Sequence, residues 1–198
     1  MPSLMGSHGT CMSRAQSILA NGIHMHPGRM GVGIYFWTAL DDKQLELADR
    51  FSRDWAKRSR DVWNQYRGEA DSSLAAVQIS VTVEDDEILY LDDPELHLGL
   101  RDTLINFALD KLGLADISEI TADQYKRLEH QLYGVIEGYI GILEEELGNP
   151  IKLVFKSQIP PPGPSTRNRI YEMLGNASCF SVRDASCIEH PIRIVSLH

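Results

Sequence analysis

Ser7-His8-Gly9-Thr10 closes an apolar opening segment (Leu4, Met5), and Gly31-Val32-Gly33-Ile34-Tyr35-Phe36-Trp37 follows it across a short connection. Between them Arg14, Ala15, Ile18 and Leu19 fall at helical spacing, and Asn21-Gly22 supplies a stop. A loop rich in Gly, Pro and His then leads into an aromatic strand. Glycine at alternate positions ahead of such a strand costs packing, so something approaches that backbone closely. The pattern reads as a strand–helix–loop–strand clamp around a flat ligand with a carbonyl or phosphate edge.

The bulk properties fit that reading. A chain of 198 residues with 43% hydrophobic and 24% charged content is expected to form one domain spanning 1–198, with a helical insertion at 93–147. A net charge of −9 argues against a broad phosphate-binding surface, although Arg50, Arg53, Lys57, Arg58 and Arg60 fall close together. Cys11, Cys179 and Cys187 have no paired metal spacing, and their odd number argues against a disulfide framework. Free thiols, no signal-peptide pattern and no spanning apolar run point to the cytoplasm, away from membranes. His24 and His26 lack a second ligand pair, so no metal is expected.

Along the chain, Thr38 to about Val62 reads as a helix with an apolar stripe through Leu45, Ala48, Phe51 and Trp55. Ala75 to Val83 alternates as a half-buried strand, and Ile88 to Leu91 as a second, short one. Asp93 to Leu112 turns helical. Thr121 and Gln124 form a capping box at the head of another helix, which runs toward Gly148. These two helices interrupt a strand-rich chain and offer a surface for a protein partner. Ile151–Ile159 is a strand, Pro160–Pro164 a stiff connection, Arg167–Leu174 a short helix, and Ser178–Val182 and Ile188–Leu197 the last strands. Strands at both ends with helices between them indicate a mixed α+β fold.

His-Gly-Thr, then Ile-Leu-x-x-Gly-Ile, then Gly-x-Gly-Ile-Tyr-Phe resembles the NAD-binding half of the poly(ADP-ribose) polymerase and diphtheria-toxin type of ADP-ribosyltransferase. The resemblance covers about the first quarter of the chain and returns near its end. It implies a split antiparallel sheet core with NAD as the substrate, His8 on a ribose hydroxyl, the Gly9 backbone on the nicotinamide amide, and Tyr35 stacked on the nicotinamide ring. Thr10, Gly33 and Phe36 complete the binding set. An arginine near a Gly-rich loop suits a pyrophosphate, which points to Arg14 or Arg29. His8 and Tyr35 should then face one cleft, with Cys179 on an adjacent strand.

The family's third motif, a glutamate opening a late strand, falls on Cys179 within Ser178-Cys179-Phe180-Ser181-Val182-Arg183-Asp184. A thiol there neither acts as a carboxylate base nor stabilises a ribose cation in the same way. Glu172, Asp184 and Glu189 are the nearest carboxylates in sequence. The catalytic set read from the sequence is therefore His8, Tyr35 and Cys179. The function expected is mono-ADP-ribosyl transfer to a protein or nucleic-acid acceptor, with nicotinamide released. Such an activity would suit a bacterial toxin or phage-defence effector. The alternatives are a catalytically inactive NAD- or ADP-ribose-binding module and an NAD glycohydrolase.

Overall fold

Strand β1 (Ser3–Cys11) passes directly into helix α1 (Met12–Asn21). The structure is a computed structural model and describes residues 3–163 and 177–197. A short strand β2 (His26–Gly28) folds back as a hairpin on β3 (Gly31–Ala39). Helix α2 (Asp42–Asp61), strands β4 (Leu74–Thr82) and β5 (Ile88–Tyr90), and helices α3 (Pro94–Leu112) and α4 (Ala122–Leu147) follow. Strands β6 (Leu153–Gln158), β7 (Ala177–Val182) and β8 (Ile188–Ser196) close the described chain. No helix among the described residues is long and apolar enough to cross a membrane.

The strands form one mixed sheet in the order β5-β6-β7-β3-β1-β4-β8, with β2 attached to β3. Most pairings are antiparallel, but β5 and β6 run parallel, so the sheet is mixed where the resemblance implied an antiparallel core. The reason lies in their connection: a parallel pair needs a crossover, and α3 with α4 supplies it. The helices of 93–147 are thus built into the sheet's topology.

The two faces of the sheet carry separate cores. Leu4, Ile34, Phe36, Val77, Ile79, Val81, Phe180 and Val182 pack on one face, with α1 against them. On the other, Trp37, Phe51, Leu89, Leu100, Ile136, Ile140, Val154 and Cys179 pack beneath α2, α3 and α4. The period-2 alternation of β4 reads out directly, since Ala75, Val77, Ile79, Val81 and Val83 all enter the first core.

The helix expected from Thr38 begins later. Thr38 and Ala39 still belong to β3, and the helix starts where the Asp41 carboxylate accepts a hydrogen bond from Gln44 N at 2.7 Å. The capping box at Thr121 and Gln124 is present in full. The helix expected over Arg167–Leu174 lies outside the described residues.

Candidate functional site

Strands β1 and β3 pair at three positions, Met5↔Ala39, Gly6↔Thr38 and Ser7↔Trp37, and then part. Each continues beyond that point, β1 on β4 and the far end of β3 on β2 and β7. The gap between them opens into a cleft of about 310 Å³ lined by His8, Thr10, Arg14, Ser17, Ile18, His24, His26, Gly33, Ile34 and Tyr35. That volume is at the low end for small-molecule sites.

His8 bridges the gap. Its Nδ1 lies 2.8 Å from the main-chain oxygen of Tyr35, where a backbone N–H of β1 would otherwise sit. A carbonyl only accepts, so Nδ1 carries the proton and the other ring nitrogen, Nε2, is an acceptor. Among the described residues Nε2 has no hydrogen-bond partner. Burial pushes the His8 pKa below the ordinary value of 6.5, against the smaller opposing effect of the Tyr35 carbonyl. The imidazole is therefore neutral near pH 7 and offers one lone pair at the cleft.

Tyr35 lines the same cleft, but its ring leaves the sheet on the face opposite His8. His8 packs 5.8 Å from Phe36 on the first face, whereas Tyr35 packs into the second core with Trp37 and Cys179. The phenol donates to Gly31 O at 3.1 Å and accepts from Met30 N at 3.2 Å. Burial raises its pKa to about 12, so it stays protonated. His8 and Tyr35 were expected to face one cleft; both line it, but their rings leave the sheet on opposite faces, because odd and even strand positions point to opposite faces and a one-residue offset decides between them.

The glycines also read differently in three dimensions. A side chain at Gly9 would meet Ser52 O at 1.9 Å, one at Gly33 would meet Ser181 Oγ at 2.1 Å, and one at Gly28 would meet the Tyr35 hydroxyl at 2.1 Å. What approaches these backbones is the protein itself. Gly31 additionally has φ of +78°, a conformation that favours glycine.

Of the remaining expected site residues, Thr10 and Arg14 stand at the cleft and three do not. The Arg14 guanidinium is engaged at the rim, with Nε 2.7 Å from Glu69 Oε1, Nη2 2.7 Å from Gln65 O, and its plane 5.1 Å above the Tyr66 ring. Arg29 sits at the tip of the β2–β3 hairpin against Tyr133 of α4, away from the cleft. Phe36 is fully buried, stacked at 5.6 Å on Phe180, and serves as core. Cys179 is on the adjacent strand, paired with Trp37, but it is buried in the second core. Burial raises its thiol to about 12, so it is neither base nor nucleophile.

Among the described residues no carboxylate enters from the segments nearest in sequence. Asp184 caps Ser186 N at 2.8 Å, Glu189 is held by the Thr82 hydroxyl, and Glu172 lies outside the described residues. His24 and His26, set aside in the sequence as a loop without metal ligands, line the cleft, as does Ser17, which the sequence did not single out. The i, i+2 spacing of His24 and His26, which enters β2 at His26, was the available signal. Among the described residues no cluster of metal-ligating side chains occurs.

The hairpin that covers Tyr35 is fixed by α4. Glu137 accepts from Val32 N at 2.6 Å and from both Arg183 η nitrogens at 2.7 and 2.9 Å. Burial alone would raise the Glu137 carboxyl; the Arg183 fork and the Val32 N–H outweigh it and hold the carboxyl below its usual range. Comparison with known protein families, curated proteins and solved structures gives no match for this chain.

Proposed function

We propose that the gap between β1 and β3 is an NAD site and that the chain is an NAD-dependent mono-ADP-ribosyltransferase. The observation that carries this reading is the His8 bridge: it holds the strands apart and leaves Nε2 as the acceptor a ribose hydroxyl needs. A flat ligand in such a slot meets strand edges as well as faces, so groups from both sides of the sheet border it. His8 takes the first sheet face, and Tyr35 borders the slot from β3.

In the reaction, the bond between ribose C1′ and the nicotinamide nitrogen breaks, and its electron pair leaves with nicotinamide, which departs neutral. The ribose passes through an oxocarbenium-like state, the acceptor's nucleophilic atom bonds to C1′, and the acceptor loses its proton. Positioning supplies much of such a barrier reduction, and His8 orients the ribose through its hydroxyl. Among the described residues no carboxylate lines the cleft to stabilise the cation. Transfer of single units at a low rate is the outcome this arrangement favours.

The buried Cys179 and the locked Tyr35 phenol favour a second reading, an inactive NAD- or ADP-ribose-binding module. NAD labelled in its adenine half separates the possibilities. Nicotinamide release with label on a macromolecule, lost in His8→Ala, supports the transferase. Release without macromolecular label means a glycohydrolase. Saturable NAD binding without release means a binding module, and no binding overturns the NAD reading altogether.

A further inference from the structure

The C-terminal end of α2 and the loop after it present an aromatic and basic surface that the cleft does not use. Trp55 and Trp63 are each 41% exposed, with ring centroids 5.2 Å apart at 67°, and the Arg58 guanidinium lies 5.2 Å over the Trp63 ring. Two adjacent, partly exposed indoles form a contiguous apolar patch, the kind of surface feature that marks an interaction site. The charge around them is also distinctive. Residues 50–67 carry six basic side chains against two acidic ones, an excess of four positive charges in a chain of net charge −9. Some of that charge is internally paired, since Lys57 and Arg60 both contact Asp61 at 2.8 Å. Arg50 and Arg67 are exposed.

This surface adjoins the cleft. Gln65, two residues past Trp63, accepts from Arg14 Nη2 at 2.7 Å, and Arg14 lines the cleft. Whatever docks on the tryptophans is brought to the cleft's rim.

We propose that this surface binds single-stranded nucleic acid and presents it to the cleft as the acceptor. The second half of that statement rests on the NAD reading; the first does not. Unpaired bases expose flat faces that stack on Trp55 and Trp63, and the surrounding Arg and Lys side chains meet the phosphates. A duplex hides its base faces and is not what the pair of indoles fits. An acidic protein with one basic, aromatic patch complements a polyanion at that patch.

The test uses the full chain and a fluorescein-labelled 12-nucleotide RNA, with a DNA of the same sequence, followed by anisotropy between 50 and 200 mM salt. Contact with about three phosphates predicts a log–log salt slope near −2. Trp63→Ala and Arg58→Gln should each weaken binding, about tenfold or more for the tryptophan, with unchanged far-ultraviolet dichroism. Lys126→Ala on α4 should leave it unchanged. Absence of binding, or equal binding by Trp63→Ala, overturns the proposal. Oligonucleotide binding without nicotinamide release keeps the docking surface and removes the transferase reading. If adenine label instead accumulates on protein in a nuclease-resistant form, the acceptor is a protein and this inference is wrong.

Discussion

Among single residues, His8 and Cys179 make the sharpest opposed cases. His8 is neutral in the fold because burial lowers its pKa below 6.5. The unfolded chain takes up that proton first as pH falls, so the His8 contribution to stability is full above about pH 6.5 and is lost below it. Melting temperatures measured from pH 7 to pH 5 should therefore fall more steeply for wild type than for His8→Gln; parallel curves would show that His8 is not held neutral. Cys179 makes the opposite kind of prediction. With its thiol raised to about 12 and all three cysteines buried, Cys179→Ala should change nicotinamide release less than twofold. A loss of more than tenfold with an intact fold would restore the thiol to the chemistry. Histidine beside glycine was legible in the sequence as a candidate. Its role as a strut across the gap was not, because that depends on a carbonyl twenty-seven positions away.

Among the elements, α2 and α4 hold the site's two sides. Helix α2 packs so closely on β1 that a methyl group at Gly9 would meet the Ser52 carbonyl at 1.9 Å, and backbone gives way less readily than a flexible side chain. Gly9→Ala should cost about 3 kcal/mol or more of unfolding free energy, measured by urea titration. A cost under 1 kcal/mol would mean that α2 moves freely over the strand. Helix α4 acts through Glu137. Removing its carboxylate in Glu137→Ala takes the fork partner from Arg183, whose side chain is 11% exposed and keeps Glu144 at 3.6 Å; with Glu137 itself 34% exposed, the cost should be about 1–2 kcal/mol. The same variant should speed amide exchange at Val32, whose N–H loses its acceptor. The sequence showed both helices, through their apolar stripes and the Thr121 cap. It could not show that α4 joins α3 in the crossover that makes β5 and β6 parallel, because strand order is a long-range property.

For the whole molecule, the alternation of β4 and the periodicity of α3 and α4 were enough to assign α+β class. Where the strands separate was not readable. The glycines of the first motif and the aromatic strand looked like ligand approaches and proved to be close contacts within the chain, since glycine reports proximity without naming the neighbour. The central claim is that the gap beside His8 is where NAD binds. Selective nitrogen-15 labelling of histidine, followed by imidazole NMR during NAD titration, tests it most directly. His8 should be the Nδ1–H tautomer in the free protein and show a saturable shift of its Nε2 resonance, a signal absent from His8→Gln. An NAD titration that leaves the His8 resonances unmoved would contradict that claim.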